Sequence, residues 1–267
     1  MATHIDDNGY VRFIPIGGVR ASACFSSRVR FLNGAAGVIG VERLDDPNRV
    51  PAFEQLYIDL GVNRASDCPV RVGDMAVFER PFLDLGKRLV SKALDDRIGV
   101  AILIETMRQL HQSGQSSPHQ LCFVFSVQEE VGVRGAKTAA FGVEPDLGLA
   151  VDVTGSGDTP KGLKMQVGLG KGPAIKVRDA RTLADPRVVN WMVRTAEAAG
   201  LPYQLEILEF GSTDAEAIQL SRAGVPAGCL SIPCRYIHTT SEMVDYSDVQ
   251  QAVQLLLALL TRPVVLE

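Results

Sequence analysis

The chain lacks a long apolar run, a paired-cysteine motif and a strong excess of either charge. Its longest apolar run, Leu255–Leu260, is far shorter than the stretch of about 20 residues that spans a bilayer. None of its five cysteines forms a Cys-x-x-Cys pair, which argues against a disulfide framework and a thiolate zinc site. The net charge of -4 gives no electrostatic reason for binding nucleic acid or an anionic membrane. We therefore expect no nucleic-acid partner and no membrane partner.

The composition is that of an ordinary globular protein. The 267 residues are 46% hydrophobic and 22% charged, enough apolar material for one large core or for a core plus a second domain. The first ten residues are polar and include His4, Asp6 and Asp7, so we expect no signal peptide and a cytoplasmic location.

The region 10–86 differs from the rest of the chain in its sequence pattern. It contains short strand-like pieces, such as Ala36–Val41 and Gln55–Asp59, separated by turn signals such as Gly17-Gly18 and Asn33-Gly34. No segment there has a convincing helical period. We therefore predict a small β-domain at 10–86.

From Lys92 onward, predicted helices and strands alternate. Apolar residues between Val100 and Leu110 keep helical spacing, and this helix should end near Gly114. Further strands are predicted at 121–127, 147–153, 203–209 and 227–232, and further helices at 134–141, from 186, at 214–223 and at 247–260, the last capped by Ser247. The alternation predicts an α/β fold, with a doubly wound, mostly parallel sheet.

Acidic and imidazole side chains cluster at the ends of these elements. They are His4 and Asp6, Asp95 and Asp96, Glu129 and Glu130, Asp152, and His238. Each alone has an ordinary explanation, as a helix cap, a solvated turn or a surface histidine. Together they make an oxygen and nitrogen ligand set suited to Zn²⁺, Co²⁺ or Mn²⁺. Their number fits two metal ions sharing a carboxylate, with a glutamate left over as a base.

Six ordered motifs resemble those of the tetrahedral aminopeptidase family, two-metal peptidases that include glutamyl and deblocking aminopeptidases. The matching runs are Ala2–Asp6, Lys92–Arg97, Gln128–Ala136, Ala150–Thr154, Gly211–Ala215 and Arg235–Met243. Since they extend over nearly the whole chain, the resemblance implies a zinc-peptidase-like fold. It implies a catalytic domain formed by residues 1–9 and 87–267, with an inserted, small β-barrel-like domain at 10–86. It also implies that the domain at 10–86 mediates contacts in a homo-oligomer, built from dimers and extending to a dodecamer.

The resemblance assigns roles to individual residues. The implied ligands of two divalent ions, zinc or cobalt, are His4, Asp95, Glu130, Asp152 and His238, with Asp95 bridging both ions. Glu129 would be the general base, and Asp6 would orient His4. The peptide bond between Asp95 and Asp96 is expected to be cis. The implied substrates are peptides with a free N-terminus, and Asp214 either lines their pocket or caps a helix.

Two other functions remain open. A glycoside hydrolase also uses paired carboxylates, but these lie about 5–9.5 Å apart across one bond, a separation that adjacent glutamates suit poorly. The histidines would also have no role in it. Alternatively, the chain is a weakened or inactive member of the family, because the segment that precedes the His-x-Asp motif in family members is missing here.

Overall fold

The computed structural model describes residues 1–46 and 48–267, which divide into two compact units. The first unit consists mainly of Met1–Phe82, and the second mainly of Leu94–Ile237 and Glu242–Glu267. No helix among the described residues is both long enough and apolar enough to cross a membrane.

The first unit is built on one antiparallel sheet. Its strands are β1 (Ala2–Ile5), β2 (Val11–Phe13), β3 (Arg28–Phe31), β4 (Ala36–Val41), β5 (Leu56–Asp59) and β6 (Ala76–Phe78). They are arranged in the order β1-β2-β5-β4-β3-β6. The sheet curls, because the Ala2 N–H donates to the Asp74 carbonyl and the Gly73 N–H donates to the Ala2 carbonyl, each at 2.9 Å. The predicted small barrel-like sheet is therefore present as a half-barrel.

The first nine residues lie with this sheet, whereas we had expected them in the catalytic domain. Ile5 in β1 pairs with Val11 in β2, and Ala2 is 2% exposed in a core that includes Phe31 and Leu56. A strand's own sequence predicts its existence but does not reveal which strand it pairs with.

The second unit contains all five α-helices of the described residues and a second sheet. The helices are α1 (Leu94–Ser113), α2 (Arg134–Val143), α3 (Pro186–Ala198), α4 (Asp214–Gln219) and α5 (Tyr246–Leu260). The strands are β7 (Leu83–Asp84), β8 (Arg88–Ser91), β9 (Gly148–Thr154), β10 (Ala174–Arg178), β11 (Gln204–Ile207), β12 (Ala227–Arg235) and β13 (Glu242–Asp245). The sheet order is β11-β10-β12-β13-β8-β7, and β9 also pairs with β12.

This sheet is mixed. The pairs β9–β12 and β10–β11 are parallel, as the alternation of helices and strands predicted, whereas β10–β12, β12–β13 and β7–β8 are antiparallel. Strand β12 is buried along almost its whole length. Its Leu230 and Ile232 share a core with Ile102 of α1, Met192 of α3 and Leu255 of α5. That core fixes the strands and helices from which the site residues project.

Most helix boundaries agree with expectation, but α4 ends at Gln219 instead of residue 223, and the cap of α5 differs. Helix α1 ends before Gly114, and α3 begins with Pro186 behind an Asp185 cap. The cap of α5 is Asp245 instead of the predicted Ser247, because Asp245 Oδ1 accepts from the Ser247 N–H at 2.7 Å.

The segment Leu121–Val127, predicted as a buried strand, forms no strand. Val124, Phe125 and Val127 are 42%, 46% and 68% exposed, and Cys122 is exposed as well. A strand requires a neighbouring strand for its backbone hydrogen bonds. Among residues 1–46 and 48–267, none pairs with this segment.

Candidate active site

Two aspartates open the long helix of the second unit. The backbone at Asp95 and Asp96 is not helical, and the peptide bond between them is cis, as the resemblance implied. The Gly99 N–H donates to Asp96 Oδ1 at 3.1 Å, which holds that carboxylate over the first turn of α1. The buried side chain of Ile98 anchors this turn in the core. Both carboxylates are therefore attached to a helix end that the core holds in place.

Glu129 and Glu130 lie on a single 3₁₀ turn, Glu129–Val131, which follows Gln128 in a left-handed conformation. Glu129 is half-buried and Glu130 is exposed. Each residue of a 3₁₀ turn advances by a third of a turn, so adjacent side chains diverge. The turn therefore lets the two glutamates serve different roles.

Asp152 projects from β9, beside Ser231 of the neighbouring strand β12. It is 8% exposed, and its Oδ1 accepts from the Val153 N–H at 2.7 Å. A buried carboxylate with little hydrogen bonding requires a positive partner or a proton. Because Asp152 lies inside β9, it is not the turn residue we had considered.

The carboxylates of the second unit lie within one another's electric field. Burial raises the pKa of Asp152 well above its usual value, and the charges of Asp96, Asp95 and Glu129 raise it further. Burial, followed by the charge of Asp95, likewise raises the pKa of Asp96, against the Gly99 hydrogen bond. Such mutual repulsion is relieved by bound cations.

Three predicted metal ligands come together. Asp95, Glu130 and His238 each offer one ligand atom, and these atoms all lie within 4.8 Å of one another. Two carboxylate oxygens and one imidazole nitrogen form a donor set typical of zinc and related divalent ions. The residues present therefore fit a metal ion.

His4 and Asp152 are not part of any such group of three in the described part of the chain. His4 lies on β1 opposite Arg12 and is exposed. Asp6 serves its own turn, because its Oδ1 accepts from the Asn8 N–H at 3.0 Å and the Tyr10 N–H at 2.9 Å. The roles predicted for His4 and Asp6 remain predictions.

The sequence analysis missed Glu242. This residue is 2% exposed, and its Oε2 accepts from the Asp95 N–H at 2.9 Å. It thus holds the backbone of a predicted ligand from the adjacent strand β13. The partners are 147 residues apart in the chain, so local patterns carried no signal of the bond.

Asp214 does not cap α4, since Thr213 is the cap and accepts from the Ala215 N–H. Instead, the Ser126 hydroxyl donates to Asp214 Oδ2. The charge of Asp214 also raises the pKa of Asp96, so it lies near the carboxylate cluster. We had considered that Asp214 either lines the substrate pocket or caps a helix, and the helix cap is excluded.

The comparison with known proteins gives the family. Residues 1–255 match the M42 glutamyl aminopeptidase family. The chain belongs to that family. A putative aminopeptidase of Acetivibrio thermocellus is 42% identical over 259 residues, which cover 96% of this chain and 77% of the relative. The activity that M42 membership supports is that of an aminopeptidase, a hydrolase.

Solved structures of peptidases share this fold. An aminopeptidase from the archaeon Desulfurococcus kamchatkensis aligns with a TM-score of 0.92 and 40% identity, covering 98% of this chain and 76% of that one. The TET1 peptidase of Pyrococcus horikoshii aligns with a TM-score of 0.87 and 31% identity, covering 98% and 80%. That peptidase is described as assembling into a tetrahedron or a large octahedral shell.

Proposed function

We propose that this chain hydrolyses the N-terminal peptide bond of peptides, with two divalent metal ions, zinc or cobalt, and Glu129 as general base. The observation that carries the proposal is the group of Asp95, Glu130 and His238, whose ligand atoms lie within 4.8 Å of one another. Glu129 adjoins that group in sequence, and M42 membership supports the aminopeptidase activity.

In this proposal, Asp95, Glu130 and His238 hold one ion, while Asp95, Asp152 and His4 hold the other. Bound divalent ions would acidify a water molecule and polarise the scissile carbonyl. Asp152 supports the second site, because its buried carboxylate lies in the field of Asp95. Glu242, by accepting from the Asp95 N–H, keeps the shared ligand in place.

Glu129 would take the proton of the attacking water and return it to the leaving amine. A correctly placed general base typically contributes about 10²–10⁴-fold to the rate. Its charge raises the pKa of both Asp96 and Asp152, so its carboxylate lies close to theirs. Because it diverges from Glu130 on the 3₁₀ turn, it can face the reacting water while Glu130 holds metal.

We propose further that the chain forms a homo-oligomer of dimers, up to a dodecamer, through the sheet of the first unit. The Pyrococcus horikoshii peptidase, with its tetrahedral and octahedral shells, supports this proposal.

The test is metal analysis of the purified protein beside a panel of aminoacyl chromogenic substrates. We expect bound metal, aminopeptidase turnover, loss of turnover with a chelator and recovery with zinc or cobalt. His238→Ala should remove metal and activity, whereas His111→Ala, at an exposed histidine in α1, should keep both. Activity that survives chelation would contradict the proposal, and turnover of glycosides instead of peptides would favour a glycoside hydrolase. Metal without turnover would indicate an inactive family member.

A further inference from the structure

The two glutamates of the site are carried by a segment with little structure of its own. Residues 121–128 belong to no helix or strand. Local backbone bonds tie the segment to the start of α2, since the Gly135 N–H donates to the Val127 carbonyl at 2.9 Å and the Arg134 N–H to the Gln128 carbonyl at 3.2 Å. These bonds join neighbours in the chain, so they fix the shape of the segment more than its position.

One side-chain bond reaches a distant element. The Ser126 hydroxyl donates to Asp214 Oδ2, across 88 residues of sequence. Hydrogen bonds to a carboxylate are shorter and stronger than those between neutral groups. Ser126 is three residues before Glu129, so this bond acts close to the glutamates.

Helix α4, which begins at Asp214, is itself firmly held. Ala215 is fully buried in a cluster with Ala150 of β9 and Cys229 of β12. Ala217 is packed against Val133 and Ala136 at the start of α2. Asp214 is therefore attached to the same sheet that carries Asp152.

Resting on the proposed function, we propose that Asp214 is a positioning residue that holds Glu129 and Glu130 in place through the Ser126 hydroxyl. The half-buried Asp214 carboxylate lies close to Asp96, and its Oδ1 is buried without a hydrogen-bond partner among the described residues. Keeping a carboxylate there costs free energy, and the bond to Ser126 offsets only part of that cost. The anchoring of the glutamates is the function that the bond supplies.

Hydrogen exchange of the wild-type protein and its variants tests the anchor without relying on activity. Ser126→Ala should accelerate exchange in peptides that cover residues 121–130 by about tenfold, the effect of losing one hydrogen bond to a charged group. Ser126→Thr, which keeps the hydroxyl, should restore slow exchange. The control is Ser117→Ala, which removes another long-range serine bond, from Ser117 Oγ to the Leu260 carbonyl at 2.6 Å. It should leave residues 121–130 unchanged.

Kinetics and zinc titration then test what the anchor does. Ser126→Ala and Asp214→Ala should each lower kcat by about tenfold or more, with KM nearly unchanged, since small misplacements of catalytic groups can cost about 10²-fold. Each should also weaken zinc binding, because Glu130 moves. The double variant should be no worse than either single variant, as expected when both act through one bond.

Several outcomes would overturn the inference. Unchanged exchange at 121–130 in Ser126→Ala, or additive effects in the double variant, would show that the bond positions nothing. A rise in KM with Asp214→Ala alone would indicate contact with substrate instead. Faster exchange in a protein that neither binds zinc nor cleaves peptides would refute the proposed function, while the anchor itself would stand.

Discussion

The most specific stability prediction concerns Gly99, in the first turns of α1. A Cβ added there would lie 2.7 Å from Asp96 Oδ1 and closer still to Oδ2, a distance that side chains do not tolerate. Its φ lies outside the left-handed region, so the backbone itself would accept alanine. Gly99→Ala therefore tests the space above the residue, and the Asp96 side chain must move to make room.

The magnitude follows from two opposing effects. Alanine in a helix interior is favoured over glycine by about 1 kcal/mol. Displacing Asp96 removes its bond from the Gly99 N–H, and a hydrogen bond to a carboxylate contributes about 1.5–3 kcal/mol. The net result is a destabilisation of about 0.5–2 kcal/mol, opposite in sign to the usual effect of this substitution. Zinc binding should weaken too, because Asp95 is the neighbouring residue.

The assay is urea unfolding of the metal-free protein, monitored by the fluorescence of Trp191. This is the only tryptophan, and it is 4% exposed in the core of the second unit. The matched control is Gly142→Ala in α2, where a Cβ would meet nothing within 4 Å. The free energy of unfolding of this control should rise by about 0.5–1 kcal/mol. If Gly99→Ala gained as much, the close approach of Asp96 to the helix would be refuted.

Two further predictions concern charge and metal. Arg235 donates to both Asp158 oxygens at 2.9 Å and holds the pKa of that carboxyl well below its usual value. A lowered pKa adds stability above the unfolded value of about 3.9, which is lost as the pH falls. Asp158→Asn should thus lower the free energy of unfolding at pH 7 and have little effect on it in strong acid. Urea titrations of both proteins at several pH values measure this, and a difference that stayed constant with pH would contradict the ion pair. Calorimetry should resolve one tight and one weak zinc event, and His4→Ala should remove only the weak one, since His4 is exposed and outside the ligand group. Two equal events would contradict this.

Local patterns predicted much of the second unit. The apolar spacing from Val100 to Leu110 predicted that α1 exists, because apolar residues at helical spacing are typical of a helix with one buried face. It did not predict which face is buried, since Val100 and Ile104 are exposed. The buried face carries Ile98 and Ile102 instead. Strands β10 and β13 were missed. They are short, and both carry buried charged groups, Lys176 in β10 and Glu242 in β13, which break the apolar pattern. The sheet pairs Lys176 with Glu206 of β11, and local sequence cannot show such a partner.

The ligand types were predictable from the residues, but their arrangement was not. Asp95, Glu130 and His238 are far apart in sequence, and their proximity depends on how the elements pack. The segment at 121–127 shows the opposite failure. Its apolar run predicted burial, yet Val127 is 68% exposed. An apolar run shows that a segment is suited to burial, but it does not show whether another element packs against it.

The central claim is that Glu129 is a base while its neighbour Glu130 is a metal ligand. The most direct test compares Glu129→Gln with Glu130→Gln by elemental metal analysis and aminopeptidase turnover in the same preparations. Glu129→Gln should keep the wild-type metal content and lose turnover by about 10²–10⁴-fold. Glu130→Gln should lose metal and turnover together. A Glu129→Gln protein that lost its metal, or that kept wild-type turnover, would contradict the account.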